Sequence, residues 1–313
     1  MSAVPKPTTK QQRSDWAYVL GIAGVSVTDT VLQLWLIFFF VPPPDRGITL
    51  VNPQTFGLAI LLGRLAEALA NPAAGFISDR LGKPQWFLLG GALAFGLASA
   101  LLFLLPIPGE SERNTSLLFG LLIVALIGQA CYGIPYLGLL PRVAPDGARR
   151  LKITSLQALF ILLGVFAGQV ASGGVLKLLD NDLALTVTLF FGAALGLMLI
   201  PLTMLRDVKA PANANRFSLG EIFAVLRRNP GFRAIITAQA LFWLGFNMVR
   251  SVVVYYVTVL LRRPETEVAI YLGSIFLVTL PSLILVRYLV SILGKRRMMM
   301  IATGMFAVLL PLL

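Results

Sequence analysis

The sequence predicts an all-α polytopic membrane protein organised as two related six-helix halves, the second incomplete, with about nine spans present. Three observations predict it. The chain is 57% hydrophobic and 13% charged with a mean hydropathy of +0.84, a balance suited to a lipid surround and not to a soluble core. Apolar runs long enough to cross about 30 Å of hydrocarbon recur along its whole length. The triplet Leu81-Gly82-Lys83 returns as Leu293-Gly294-Lys295, 212 positions later. The first copy lies between the second and third runs and the second between the eighth and ninth, the offset expected of a six-span repeat.

The spans are expected near 16–41, 55–77, 86–106, 117–140, 153–176, 184–204, 233–261, 268–290 and 297–313. Each should be helical, because backbone polar groups in lipid must be satisfied within their own segment. Pro72 should kink the second. Residues 1–205 then form the first six-helix half, 206–232 a cytosolic linker, and 233–313 the part of the second half holding spans seven to nine. In the linker, Ser218-Leu219-Gly220-Glu221 has the pattern of a capping box opening an amphipathic stretch that runs to Arg228. Phe217, Ile222, Phe223 and Leu226 supply its apolar face, and Asn229-Pro230 should end it. The repeat distance implies about 420 residues for two complete halves, so the sequence reads as a truncated product or a partial sequence.

The formal charge is +12, from 26 Lys and Arg against 14 Asp and Glu. Of the 26, 18 fall at the N-terminus and in the even-numbered loops. The positive-inside rule therefore places the N-terminus in the cytosol, in the cell (inner) membrane, and assigns the charge to anionic lipid and not to nucleic acid. Residues 1–14 are polar and the first apolar run is too long for a signal peptide. The single cysteine, Cys131, lies within span four, and there is no histidine. No metal site, catalytic triad or cysteine–histidine pair can be built from this inventory, and no cofactor is implied. The glycine-rich patches lie inside spans, where they serve helix packing and not phosphate binding. The chain is not read as an enzyme.

Ionisable groups within spans are the candidates for chemistry, because each is costly in hydrocarbon. They are Asp29 in span one, Arg64 and Glu67 in span two, and Arg250 in span seven; Arg287, near the end of span eight, is placed to snorkel. Arg64 and Glu67 share a helix face at a spacing of three. They can form a self-neutralising ion pair, or Glu67 can exchange a proton or hold Na⁺ while an arginine holds an anionic substrate. Asp29 has the same two readings, with an arginine on a neighbouring helix as its expected structural partner. Gln33, Gln129, Gln157, Gln169, Gln239 and Asn247 can bind a polyol or link helices, and Trp35 and Trp243 can stack on a sugar ring or pack. Trp16 and Trp86, at span ends, read as interface anchors. After Pro72, the turn Asp79, Arg80, Gly82 and Lys83 can latch one side of the protein through salt bridges that break as the halves rock.

The stretch Asn71-Pro72-x-x-Gly75-x-x-Ser78-Asp79-Arg80 resembles the signature of the glycoside–pentoside–hexuronide:cation symporters, the melibiose permease-like family of the major facilitator superfamily. Leu36 through Phe40, Tyr132-Gly133-Ile134-Pro135-Tyr136 and Arg149-Arg150-Leu151-Lys152 resemble further stretches of that family in span order. The resemblance implies a cation-coupled sugar transporter. The family's two cation-binding aspartates fall on Glu67 and Asn71, its helix-four aspartate on Gly133 and its helix-five arginine on Gln157. The helix-one aspartate aligns near Ser26, with Asp29 one turn further on. One surviving acid favours H⁺ over Na⁺ as the coupling ion.

The expected function is secondary active transport by alternating access: symport of a sugar or related small solute with H⁺ or Na⁺, with Glu67 protonation allowing the loaded carrier to reorient. Two other readings stand beside it. One keeps the fold and carries a lipid, pigment precursor or other amphiphile. The other transports nothing, as a membrane assembly factor or a decayed fragment.

Overall fold

The computed structural model describes residues 9–43, 47–204, 227–257, 261–262, 278, 281–282, 285–286, 288–290 and 292–309. Every regular element among them is helical. The first is α1 (Thr9–Phe40), followed by α2 (Pro53–Leu81), α3 (Pro84–Leu104) and α4 (Glu112–Val143). α5 is α-helical over Gly147–Phe166, passes through a π-helical turn at Ala167–Ala171 and continues over Ser172–Leu178. Then come α6 (Leu183–Met204), α7 (Pro230–Tyr255) and α8 (Lys295–Leu309). Six of these, α1 to α6, are long and apolar enough to cross a membrane. They coincide with the first six expected spans, extended by a few residues at most ends. α7 and α8 fall on the seventh and ninth. Most of the eighth, with Arg287, lies outside the described residues, as do the Ser218–Glu221 capping box and the apolar residues assigned to the linker.

Local chemistry sets the helix ends. Asn52 Oδ1 accepts from the Gln54 amide, Ser111 Oγ from Asn114, Asp146 Oδ2 from Arg149 and Asp182 Oδ1 from Leu185, each satisfying an N-terminal amide that the helix leaves without a partner. Proline occupies the first turn of α2, α3 and α7, where its missing N–H costs nothing. α2 runs unbroken through Pro72. It ends at Gly82, whose left-handed backbone (φ 64°) turns its N–H back to the Ser78 carbonyl at 3.2 Å. Asn229 closes the helical residues Arg227–Arg228 and caps α7, its Oδ1 accepting from the Phe232 amide at 3.0 Å.

The six helices pack around two central members. α1 lies between α5 and α6, and α4 between α2 and α3; α3 also meets α6, and α1 meets α4. Between helices in lipid there is little hydrophobic drive, so close packing of small residues has to hold them. The α3–α4 crossing shows this. A Cβ on Gly91 would lie 2.5 Å from the Tyr132 amide nitrogen, and one on Gly128 2.6 Å from that of Phe95. α6 crosses α1 antiparallel, with Gly24 against Ala194 and Met198. α5 runs parallel to α1, with Gly164 against Ser26 and Gly168 against Thr30.

Large buried side chains fill the centre: Phe40, Phe95, Phe191, Tyr132 and Tyr136 among them. Asn114, fully buried, accepts from the Ile107 amide and donates to the carbonyls of Ile107, Gly109 and Leu50, tying two connections together at one end of the bundle. Among α1 to α6, α2 is the least covered. It buries Phe56, Ala59, Gly63, Ala74 and Ser78 and leaves Leu58, Leu61, Leu62, Leu65 and Leu69 exposed.

Candidate functional site

Asp29 lies near the middle of the apolar part of α1, Asp15–Phe40. It is half-buried. Gln33, one turn on, donates its amide to both carboxylate oxygens, at 2.7 Å each. Gln129 reaches across from α4 and donates to Oδ1 at 3.4 Å. The Gln129 Oε1 is buried and has no hydrogen-bond partner among the described residues. No Lys or Arg pairs with Asp29 among the described residues. Among the described residues two amides hold the carboxylate, hydrogen-bonding it without neutralising it.

Arg64 and Glu67 form the internal pair that their spacing allows: Arg64 Nη1 donates to Glu67 Oε2 at 2.8 Å, with the arginine side chain 42% and the glutamate 18% exposed. α2 and α4 run parallel, with Gly63 against Leu122 and Leu126 and Gly75 against Ile134. That register brings Glu67 to the level of Gln129. Asn71 is half-buried one turn further along α2. Gln157 is buried on α5 and donates to the Tyr136 hydroxyl at 3.3 Å, within the bundle packing. Arg250 belongs to α7, and its side chain lies outside the described residues.

Tyr136 is part of a tight join between α1 and α4. Its ring stacks on Tyr18 at 4.4 Å between centroids. The Tyr18 hydroxyl donates to the Tyr136 carbonyl at 2.6 Å, and the Tyr136 hydroxyl donates to the Tyr18 carbonyl in return. Tyr132 stacks beside Tyr136 and donates to the Met198 carbonyl on α6. Trp35 is buried and donates its indole N–H to Ser172 Oγ at 3.0 Å, a packing role; Trp243 is exposed.

The end of the bundle where α1 begins gathers the charges. Asp79 pairs with Arg142 of α4 at 3.8 Å, Arg80 lies over the Phe76 ring at 4.2 Å, and Lys83 is exposed. Sequence reasoning placed Asp79 in a latch without naming Arg142. It also passed over Asp15, whose 2%-exposed carboxylate holds Arg149 at 2.6 Å and Lys152 at 4.0 Å. The available signal was a lone acid at the border of span one, facing in sequence order the basic run that opens span five. The Asp29–Gln129 link was equally hidden. Each residue was named, but 100 positions separate them and periodicity alone does not join α1 to α4.

The family described as MFS/sugar transport protein matches residues 17–313. An uncharacterized symporter of Synechocystis sp. is 26% identical over 160 residues, which cover 47% of this chain and 28% of that protein. The sodium-dependent lysophosphatidylcholine symporter 1-A of Danio rerio is 22% identical over 169 residues, 52% of this chain and 30% of that one. These matches take in less than a third of either relative's length. The family match runs over nearly the whole chain, including the six membrane-capable helices found among the described residues, and the protein belongs to the MFS/sugar transport family of the major facilitator superfamily.

Proposed function

We propose that the protein is a cation-coupled symporter that carries a small solute by alternating access, with Asp29 as the coupling carboxylate. The observation that carries this reading is a mid-span carboxylate with amide partners and, among the described residues, no cation beside it. An ionised group at that depth is costly, and a bound cation removes the cost. Glu67 is less suited to the task, because Arg64 already neutralises it. Residues 1–205 act as one half and 233–313 as part of the other, rocking about the level of Asp29. The Asp79–Arg142 pair lies where it can close the end of the bundle that we assign to the cytosol. A sugar-like solute follows the family description.

A second cargo has an observation of its own. The Danio rerio relative is named for lysophosphatidylcholine, and the leucine-rich free face of α2 suits an acyl chain. Uptake into proteoliposomes, from the gene's full reading frame, separates the readings. The imposed gradient is H⁺ or Na⁺, and labelled mono- and disaccharides are compared with labelled lysophosphatidylcholine. Accumulation lost in Asp29→Asn, with solute exchange retained, supports coupling at Asp29. Undiminished accumulation in Asp29→Asn overturns it, and gradient-independent behaviour towards every solute overturns the symporter reading.

A further inference from the structure

We infer that Gln129 is the positioning residue that reads the protonation state of Asp29, and that the ion taken at this site is H⁺. The inference deepens the symporter reading and rests on it for its purpose in transport. Its geometry stands on the α1–α4 contact alone.

An ionised carboxylate only accepts hydrogen bonds, so a neighbouring amide has to turn its NH₂ group toward it. Gln129 does so at 3.4 Å. Its carbonyl oxygen is then left buried without a partner among the described residues, which is unfavourable. A proton arriving from solution on Asp29 makes an O–H donor. One half-turn of the terminal amide brings Oε1 to face that donor, satisfying the orphaned acceptor in exchange for the long 3.4 Å bond from the NH₂ group. No bond other than the O–H forms. The same surroundings disfavour Na⁺: a sodium ion needs several oxygens, so Gln33 as well as Gln129 would have to turn its carbonyl inward, Gln33 giving up both of its 2.7 Å hydrogen bonds to the carboxylate.

Among the described residues of α2 to α6, the other ionisable groups lie away from Asp29 or have partners of their own. α3 and α6 carry no charged side chain within Pro84–Leu104 and Leu183–Met204. On α4, Glu112 and Arg113 lie at one end and Arg142 at the other, paired with Asp79. On α5, Arg149 and Lys152 are held at Asp15, fourteen residues from Asp29 and so about 21 Å along α1. Arg150 shares that end and Lys177 lies at the opposite one. Tyr132 and Tyr136 donate to backbone carbonyls, Cys131 is two positions along α4 from Gln129, and Arg64 and Glu67 bind each other on α2.

The test is an infrared pH titration of the purified protein in lipid, following the C=O stretch of protonated carboxyls, with protons and NaCl as the only ligands. A titrating band absent from Asp29→Asn identifies Asp29. Gln129→Leu should move that band to higher frequency, as the hydrogen bond is lost, and Gln129→Asn should move it less. Adding NaCl in place of KCl at fixed pH should leave the band in place. Loss of the band on NaCl addition would overturn the assignment to H⁺. A band unmoved in both Gln129 variants would overturn the role of Gln129. Should Gln129→Leu fail to fold, Gln129→Asn alone decides, a shifted band supporting the inference and an unshifted one overturning it. Because the titration needs no transported solute, these outcomes are independent of uptake, whose failure bears on the symporter reading alone.

Discussion

Gly82 and Gly294 hold the same left-handed backbone, with φ of 64° and 78°, at positions 212 apart. Each turns its N–H back onto a carbonyl four residues earlier, Gly82 to Ser78 at 3.2 Å and Gly294 to Val290 at 3.1 Å. A helix resumes within two residues of each, at Pro84 and Lys295. The repeated Leu-Gly-Lys triplet is thus a repeated piece of backbone as well.

Alanine at either glycine should therefore destabilise the protein by a similar amount, about 1–2 kcal/mol, since the left-handed conformation is costly for any residue with a Cβ. Thermal unfolding in detergent can be followed through thiol labelling of Cys131, the single cysteine, which is half-buried on α4. A shift for Gly82→Ala with none for Gly294→Ala would show that the two turns are not equivalent.

Gly128→Ala should cost about 1–3 kcal/mol, because its Cβ would meet the backbone of α3 at 2.6 Å and force the two helices apart. Gly120→Ala on the same helix meets nothing within 4 Å and should be neutral or slightly stabilising. The same thiol assay ranks them, and equal shifts would mean that the α3–α4 crossing is not held by close backbone approach.

Arg149→Ala should be strongly destabilising, by roughly 3 kcal/mol, because it strips the main partner from a carboxylate that is 2% exposed. Adding Asp15→Asn to that variant should recover part of the loss. Additive losses in the double-mutant cycle would contradict a direct coupling between the two groups.

Glu67→Gln and Asp29→Asn should differ in kind. Removing the Glu67 charge breaks a pair whose arginine is 42% exposed, and should alter stability by under about 1 kcal/mol while leaving gradient-driven uptake in place. Asp29→Asn should abolish that uptake. The reverse pattern would return the coupling role to Glu67, as the sequence expectation had it.

Much of this was legible in the sequence because membrane helices obey local rules. Length and hydropathy located α1 to α6, and residue types at their ends (Asn52, Ser111, Asp146, Asp182) account for the few residues by which the helices outrun the apolar runs. The spacing of Arg64 and Glu67 gave their ion pair, since both partners lie on one helix. What stayed hidden depends on which helices touch. Asp15 with Arg149, Asp79 with Arg142 and Asp29 with Gln129 are each joined across helices, and nothing in one helix's periodicity names its neighbour. Gln157 shows the converse. Alignment to a ligand position made it a candidate, and the fold shows what alignment does not, its amide donating to the Tyr136 hydroxyl.

The π turn at Ala167–Ala171 gives α5 two phases. Such a turn carries one residue more than an α-helix of the same length, so side chains beyond it are rotated by about 100° from where a continuous helix would put them. The turn thereby keeps Gly164, Gly168 and Ser172, each four residues on, against α1, where they meet Ser26, Thr30 and Trp35. A substitution scan along α5 should trace two helical wheels that fall out of step within five residues, and deleting one residue from the turn should merge them into one.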